Sequence, residues 1–572
     1  MSGFNPANPV IVQSDLSVLL ETDNALYEEA RDALARFAEL EKSPDYIHTY
    51  RITPLSLWNA AAAGESADEI CSLLLRYAKY PVPEAVLIEV REQASRYGRL
   101  KLVREGEDLV LQSTDRAAML QVTRHKKVQP YLVRQLDPNR WVVDSKHRGL
   151  LKQALIKIKF PVEDLAGYLE GDPLPMELRE ETVGGRGFGL REYQRDAADI
   201  FYAAGSARGG SGVLVLPCGA GKTIIGIATM ARIGQRTLIL TTNITSLRQW
   251  RAEILDKTTL RPDEVGEYSG EMKEIKPVTI STYQLMTFRK KKTDEFAHME
   301  LFNSENWGLI VYDEVHMLPA PVFRTVADIQ ARRRLGLTAT LVREDGLADD
   351  VFSLIGPKKF DVPWRQLESQ GWIATAECVE MRVPLPSAMK VDYAVADARE
   401  QFRIASESPA KVPVLLSLLE RHRGDSVLII GQYLDQLEIV SREVGVPIIT
   451  GKTPNKEREE LYRKFKAKEI NTLVVSKVAN FAVDLPDANV AVQVAGTFGS
   501  RQEEAQRLGR VLRPKGAGRA NIAHFYSIVT RDSVEQEFAA KRQRFLAEQG
   551  YSYRIEILES EDMQEAGEPT GR

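Results

Sequence analysis

Three short stretches carry the residue types that phosphoryl-transfer chemistry needs. In "VLVLPCGAGKTIIGIA", Gly219 and Gly221 stand in a turn between an apolar run and a helical pattern, and Lys222 and Thr223 follow at once. Backbone N–H groups of such a turn, and of the helix start behind it, cradle phosphates; the lysine neutralises the β and γ phosphates and the threonine hydroxyl ligates Mg²⁺. Leu216 occupies the place where the longer G-x-x-x-x-G-K-[ST] pattern has a glycine, and is expected to be the last buried residue of the preceding strand. In "LIVYDEVH" an apolar run ends in Asp313–Glu314. Asp313 suits Mg²⁺ coordination through water, and Glu314 suits a base that orients and deprotonates an attacking water. In "EEAQRLGRVLRPK", Gln506, Arg510 and Arg513 follow one another at spacings of four and three, one face of a helix. Taken alone that face is a basic surface. In trans to a γ-phosphate it is a set of arginine fingers, worth about 10³–10⁵ in rate.

The elements that must position these groups are readable from pattern. From Leu190 onward, short apolar runs ("GVLVL", "RTLILTT", "WGLIVYDE", "RRLGLTAT") alternate with amphipathic stretches; the alternation resumes with "SVLIIGQ", "VPIITG", "NTLVVS" and "ANVAVQV". Such alternation predicts α/β architecture, here two tandem parallel-sheet domains preceded by a mostly helical N-terminal accessory domain. The helical expectation rests on starts such as Thr53–Pro54 and the capping box Ser66…Glu69. The expected boundaries are 1–170 for the accessory domain, 171–189 for a Gly/Pro-rich linker and 190–365 for the first, ATP-binding motor domain. A connector with at most a small thumb-like element follows at 366–405, then the second motor domain at 406–550 and a tail at 551–572.

Composition bounds the rest. The 572 residues are 44% hydrophobic and 27% charged with a net charge of −4, so the chain as a whole is not polybasic and any nucleic-acid contact must come from a local feature. The three cysteines, Cys71, Cys218 and Cys378, form no C-x-x-C pair, which argues against a zinc or iron–sulfur site of familiar spacing. No apolar run approaches the roughly 18 residues of a membrane span, and a cytoplasmic protein is expected.

The order "LREYQ", "PCGAGKT", "DEVH", "GLTAT", "QRLGRVLR" resembles superfamily 2 helicases. More narrowly, "LPCGAGKT", "GLTATLVREDG", "LIGPK", "VDLPDANV" and "KRQRFLAEQGYSY" resemble the XPB family of DNA helicases and translocases. That resemblance covers both α/β domains, which it implies are two tandem RecA-like parallel-sheet motor domains, and extends to the N-terminal "QSDLSVLLE" and "PLSLWNAAAAG". It implies an ATP-dependent motor moving 3′ to 5′ that opens or remodels duplex DNA in repair, nucleotide excision repair included, or in transcription. It further implies that Gln194, after Arg191, reads adenine and that Asp484 lies near the ribose. By the same resemblance His316, Thr338 and Thr340 couple hydrolysis to movement, and Arg343, Glu344 and Asp345 match a triplet tied to duplex opening. A nuclease or another repair protein is an implied partner. The chain departs from the family at Ala479, Asn480 and Ala482, where Gly–Asp and Gly are usual.

DNA contacts are open to two devices. One is the basic run Arg289, Lys290, Lys291, Lys292, otherwise a solvated loop; the other, by the resemblance, is hydroxyl groups such as Thr242 and Thr282. Both grip phosphates and read no bases. Trp250 and Trp307 are expected in the core. The competing functions are an RNA helicase or a duplex translocase that never separates strands, and, in another class, an ATP-switched scaffold without motor activity.

Overall fold

The computed structural model describes the chain apart from residues 1–3, 43–45, 218, 290–296, 303–304, 319–321, 323–325, 327–328, 330–331, 340–347, 363–366, 369, 373, 477–487, 497–521, 549–551 and 560–572. It divides after Val362 into two compact units, the short stretches Leu40–His48 and Pro217–Ala220 excepted. No helix among the described residues is long and apolar enough to cross a membrane.

The first unit begins with two small sheets. One joins β1 (Val10–Val12), β2 (Ser17–Glu21), β3 (Glu39–Lys42) and β4 (Ile47–Arg51) in the order β1-β2-β4-β3. The other joins β5 (Leu100–Glu105), β6 (Asp108–Ser113), β7 (Leu132–Asp137), β8 (Arg140–Val143) and β9 (Val162–Asp164) in the order β7-β8-β6-β5-β9. The expected helices are present: Thr53 caps Pro54–Ala62 and Ser66 caps Ala67–Tyr77, each as a capping box. They share the region with nine strands, so the expectation of a mostly helical domain is corrected to a mixed one. The overlooked signal is period-two alternation in "LKLVREGEDLVLQS", a hairpin that turns through Gly106 at φ +60°.

A seven-stranded sheet follows, built from β10 (Ser211–Val215), β11 (Thr237–Thr241), β12 (Val265–Tyr268), β13 (Val278–Thr282), β14 (Leu309–Asp313), β15 (Arg333–Thr338) and β16 (Lys358–Asp361). Its order is β12-β13-β11-β14-β15-β10-β16, with all six pairings between neighbours parallel. All residues of β11, β13, β14 and β15 are buried, as befits strands covered on both faces. Trp307 and Trp250 lie in the interior, as expected.

The second unit carries its own seven-stranded parallel sheet. Its strands are β17 (Thr375–Val383), β18 (Val427–Gly431), β19 (Ile448–Ile449), β20 (Thr472–Ser476), β21 (Val490–Gln493), β22 (Ile522–Thr530) and β23 (Ser552–Ile557), in the order β19-β20-β18-β21-β22-β17-β23. Two expected boundaries are corrected here. β17 falls inside the stretch 366–405 expected to connect the domains, and β23 inside the expected tail, yet both pair in register within the sheet. Behind the sheet Lys411 Nζ donates to both oxygens of Glu535 at 2.7 and 2.8 Å and to the carbonyl of Val494 at 2.8 Å, a buried ion pair.

Candidate functional site

Three adjacent strands of the first large sheet, β14, β15 and β10, end at the same edge, and each ends in a residue of interest. In open parallel sheets ligands bind beyond these carboxyl ends. After β10, Leu216 is fully buried and pairs its N–H with the carbonyl of Thr338 at 2.9 Å, which makes it the end of the strand, as the sequence implies. The turn then passes through Gly219 at φ +83° and Gly221 at φ +80°, and the helix Lys222–Ile233 starts directly behind. L side chains rarely adopt this backbone, and a Cβ at Gly221 would stand 2.7 Å from the amide nitrogen of Gln194. Gln194 is thus laid over the loop. Its Oε1 accepts the N–H of Arg191 at 3.1 Å, closing the start of the helix Glu192–Tyr202, while Arg191 Nη1 donates to the Tyr193 hydroxyl.

Lys222 and Glu314, separate in sequence, meet: Lys222 Nζ lies 2.9 Å from Glu314 Oε1, both side chains largely buried. Glu314 follows β14 in a left-handed conformation, φ +51°, which an unbranched residue tolerates only under constraint from its surroundings. His316 Nδ1 stands 3.5 Å from the other Glu314 oxygen and 2.7 Å from the hydroxyl of Thr338 at the end of β15. Burial works against ionisation of Glu314, but Lys222, and after it His316, hold its carboxyl below the usual range.

Asp313 experiences the opposite field. Burial first, and the charge of Glu314 second, push it up to about 6. Two donors pull the other way and fix its orientation: Trp250 Nε1 at 3.0 Å and Ser246 Oγ at 3.3 Å, both to Oδ2. The Tyr283 hydroxyl bonds the backbone carbonyl of Asp313 at 2.9 Å. Ser246, Trp250 and Tyr283 were not expected at the site. Ser246 and Trp250 are i,i+4 neighbours on the helix Ile244–Lys257, so a shared face was there to be read, but not what it would meet.

Thr223 is half-buried in the first turn of its helix, and Asp313 and Thr223 together offer the hard oxygen donors that Mg²⁺ prefers. A buried carboxylate carried above its usual pKa is also one that a nearby cation relieves, so the donor set fits that ion. Among the described residues no group of three His, Cys, Asp or Glu side chains forms a further metal cage.

Of the candidate DNA-contacting residues, Thr242 is half-buried and its hydroxyl accepts from Asn243 Nδ2 at 3.1 Å. Thr282 is buried, and its hydroxyl caps the short helix Tyr283–Met286. Arg289 is exposed. Lys290, Lys291, Lys292, Thr340, Arg343, Glu344, Asp345, Ala479, Asn480, Ala482, Asp484, Gln506, Arg510 and Arg513 lie outside the described residues.

Similarity to known proteins runs along nearly the whole chain. Residues 367–569 match the family described as ERCC3/RAD25/XPB C-terminal helicase, residues 187–343 that described as type III restriction enzyme, res subunit, and residues 10–137 that described as helicase conserved C-terminal domain. The chain is 56% identical to the DNA 3'-5' helicase XPB of Mycobacterium tuberculosis, over 96% of its own length and 97% of that protein's. It is 54% identical to the DNA 3'-5' helicase XPB of Kineococcus radiotolerans, with 96% of each chain covered. At 32% identity it also aligns with the general transcription and DNA repair factor IIH helicase/translocase subunit XPB/SSL2 of Saccharomyces cerevisiae, over 95% of this chain and 71% of that one.

Proposed function

This chain belongs to the XPB family and is an ATP-dependent DNA helicase, and from that premise we propose how its residues run the motor. The observation that carries the reading is the 2.9 Å contact of Lys222 with Glu314, which joins the phosphate loop to the acidic strand end. Phosphates of ATP bind the N–H groups of the loop and of the helix Lys222–Ile233, with Gln194 and Arg191 beside the loop to read the adenine. A γ-phosphate takes over Lys222 as its partner. Glu314, still ionised, then holds and deprotonates the water that attacks the phosphorus. His316 bridges Glu314 and Thr338, so the charge state at the γ-phosphate is felt at the end of β15, and Thr338, with Thr340 two residues on in sequence, couples it to movement.

Thr223 and Asp313 are the residues that would hold Mg²⁺, which when bound supplies positive charge to the phosphate oxygens. Arg510 and Arg513 supply the remaining charge that the transition state needs, Gln506 adds a neutral hydrogen-bond donor, and Asp484 contacts the ribose. Arg343, Glu344 and Asp345 act on the duplex. Thr242, Thr282 and the run Arg289 to Lys292 hold the DNA backbone without reading bases. The movement is 3'-5', the polarity in the names of the two bacterial relatives, and serves repair or transcription, with a nuclease or other repair protein as companion.

ATPase rates on single-stranded, duplex and forked DNA test the assignment. Hydrolysis rises on adding DNA, most on forks if strands are separated. Glu314→Gln lowers turnover by about 10²–10⁴ while nucleotide still binds. Hydrolysis indifferent to DNA would reduce the protein to a nucleotide-switched scaffold, and stimulation by RNA alone would make it an RNA helicase.

A further inference from the structure

Away from the nucleotide site, the first unit contains a cavity of about 350 Å³ between the accessory region and the start of the motor sheet. Lys152, Glu163 and Asp164 line it from the accessory side; Arg208, Ser211 and Lys359 line it from the motor side. Asp164 is already committed, taking Arg148 at 2.6 and 3.0 Å and Lys152 at 3.1 Å. Glu163 stands 3.7 Å from both Arg208 and Lys101, beyond hydrogen-bond reach. The fully buried Arg334 lies close enough behind this group to act on Lys152 and Asp164 electrostatically. Six basic side chains (Lys101, Arg148, Lys152, Arg208, Arg334 and Lys359) therefore surround two carboxylates.

Donors are in surplus as well. The stem of Lys359 lies against Gly212, where a Cβ would come within 2.4 Å of its Cγ, and among the described residues its ammonium has no hydrogen-bond partner. Burial disfavours the charge of that ammonium; Glu163 offsets this only in part, and Arg208 adds to it. Ser211 Oγ accepts from the Tyr168 hydroxyl at 2.8 Å, and no acceptor among the described residues takes its own proton. Tyr97, another lining residue, has a hydroxyl with no partner among the described residues, and burial raises its pKa, so it remains a donor. Positive charge and donors in excess, set against the carboxylate of Glu163 that takes no hydrogen bond among the described residues, are the complement of an oxyanion. The volume exceeds a bare phosphate and suits a small phosphorylated molecule.

We propose that this cavity binds a phosphate group, free or carried by a small metabolite, with Lys359, Tyr97 and Ser211 as its donors. Bound there, the ligand ties Tyr97 of the accessory region to the first residue of β10 and to β16, and stabilises the unit increasingly as its concentration exceeds its Kd.

The test is isothermal titration of the full chain with inorganic phosphate, and separately with ribose 5-phosphate, in saturating ADP and Mg²⁺ so that the phosphate loop is filled. One further binding event is expected, with affinity about tenfold or more weaker in Lys359→Met and also reduced in Arg208→Ala, while DNA-stimulated ATPase shows that both variants fold. Tighter binding of ribose 5-phosphate identifies a metabolite and equal binding identifies free phosphate; either supports the site. Absence of the second event in the unaltered protein, or equal affinity in Lys359→Met, overturns it. Should Lys359→Met fail to fold, Tyr97→Phe decides in the same titration, unchanged affinity again overturning the proposal.

Discussion

Asp313 and Glu314 are neighbours in the chain, yet their carboxyls are pushed in opposite directions. Glu314 has Lys222 and His316 for company; Asp313 is buried beside the charge of Glu314 and relies on Trp250 and Ser246. The indole N–H is thus a positioning group for the residue assigned to Mg²⁺. Trp250→Phe keeps the bulk and removes the donor, and is expected to lower ATPase turnover about tenfold, the value of one hydrogen bond to a charged group. Steady-state rates on forked DNA measure it, with an unchanged unfolding midpoint showing that packing survived. Lys222, Thr223, Asp313 and Glu314 could be proposed from sequence because the chemistry proposed for them demands those types in that order. Trp250 could not, because a tryptophan on an amphipathic helix reads as core, and it is core; the hydrogen bond depends on which strand end the helix crosses.

The helices are held at close quarters by small residues. At Gly226, inside the helix Lys222–Ile233, a Cβ would stand 2.4 Å from the Trp250 ring. Gly226→Ala gains helix propensity of about 1 kcal/mol. The clash nevertheless displaces the indole, so both the unfolding midpoint and ATPase turnover are expected to fall. In the second unit, Lys411→Met leaves Glu535 buried without its counter-charge, a loss of about 3–5 kcal/mol readable by urea unfolding. The same electrostatics explain which strands escaped the sequence. Strands of continuous apolar residues, such as "VLIIG" and "TLVVS", are unmistakable. β17, "TAECVEMRV", carries Glu380 into the interior, where Arg382 and the Tyr553 hydroxyl of β23 satisfy it. Charge on a strand is read as a loop until its partners are known, and here one partner lies in a strand placed with the expected tail.

Across the whole first unit, the accessory region and the motor sheet share one buried charge cluster. Burial lowers Lys152 to about 7 from 10.5, with Asp164 opposing. Between those values the unfolded chain binds the proton and the folded one does not, so stability rises as pH increases from about 7 towards 10.5. Lys152→Met removes this dependence; unfolding midpoints of both proteins at pH 7 and 9 test it, the slope flattening in the variant. The position of these charges was invisible in sequence because Arg148, Lys152, Asp164 and Arg334 read as ordinary surface residues of separate elements.

The strands that end in the phosphate loop and in Thr338 begin under the accessory region: Tyr168 bonds Ser211 at the head of β10, and Glu170 pairs with Arg333 at the head of β15. Trimming the protein to its two large sheets would therefore not deliver a minimal engine. A truncation at the apparent linker would cut through shared interior and strip the heads of the two strands whose tails carry the candidate site. Modular in the order of its residues, the first half of this protein is indivisible in its construction.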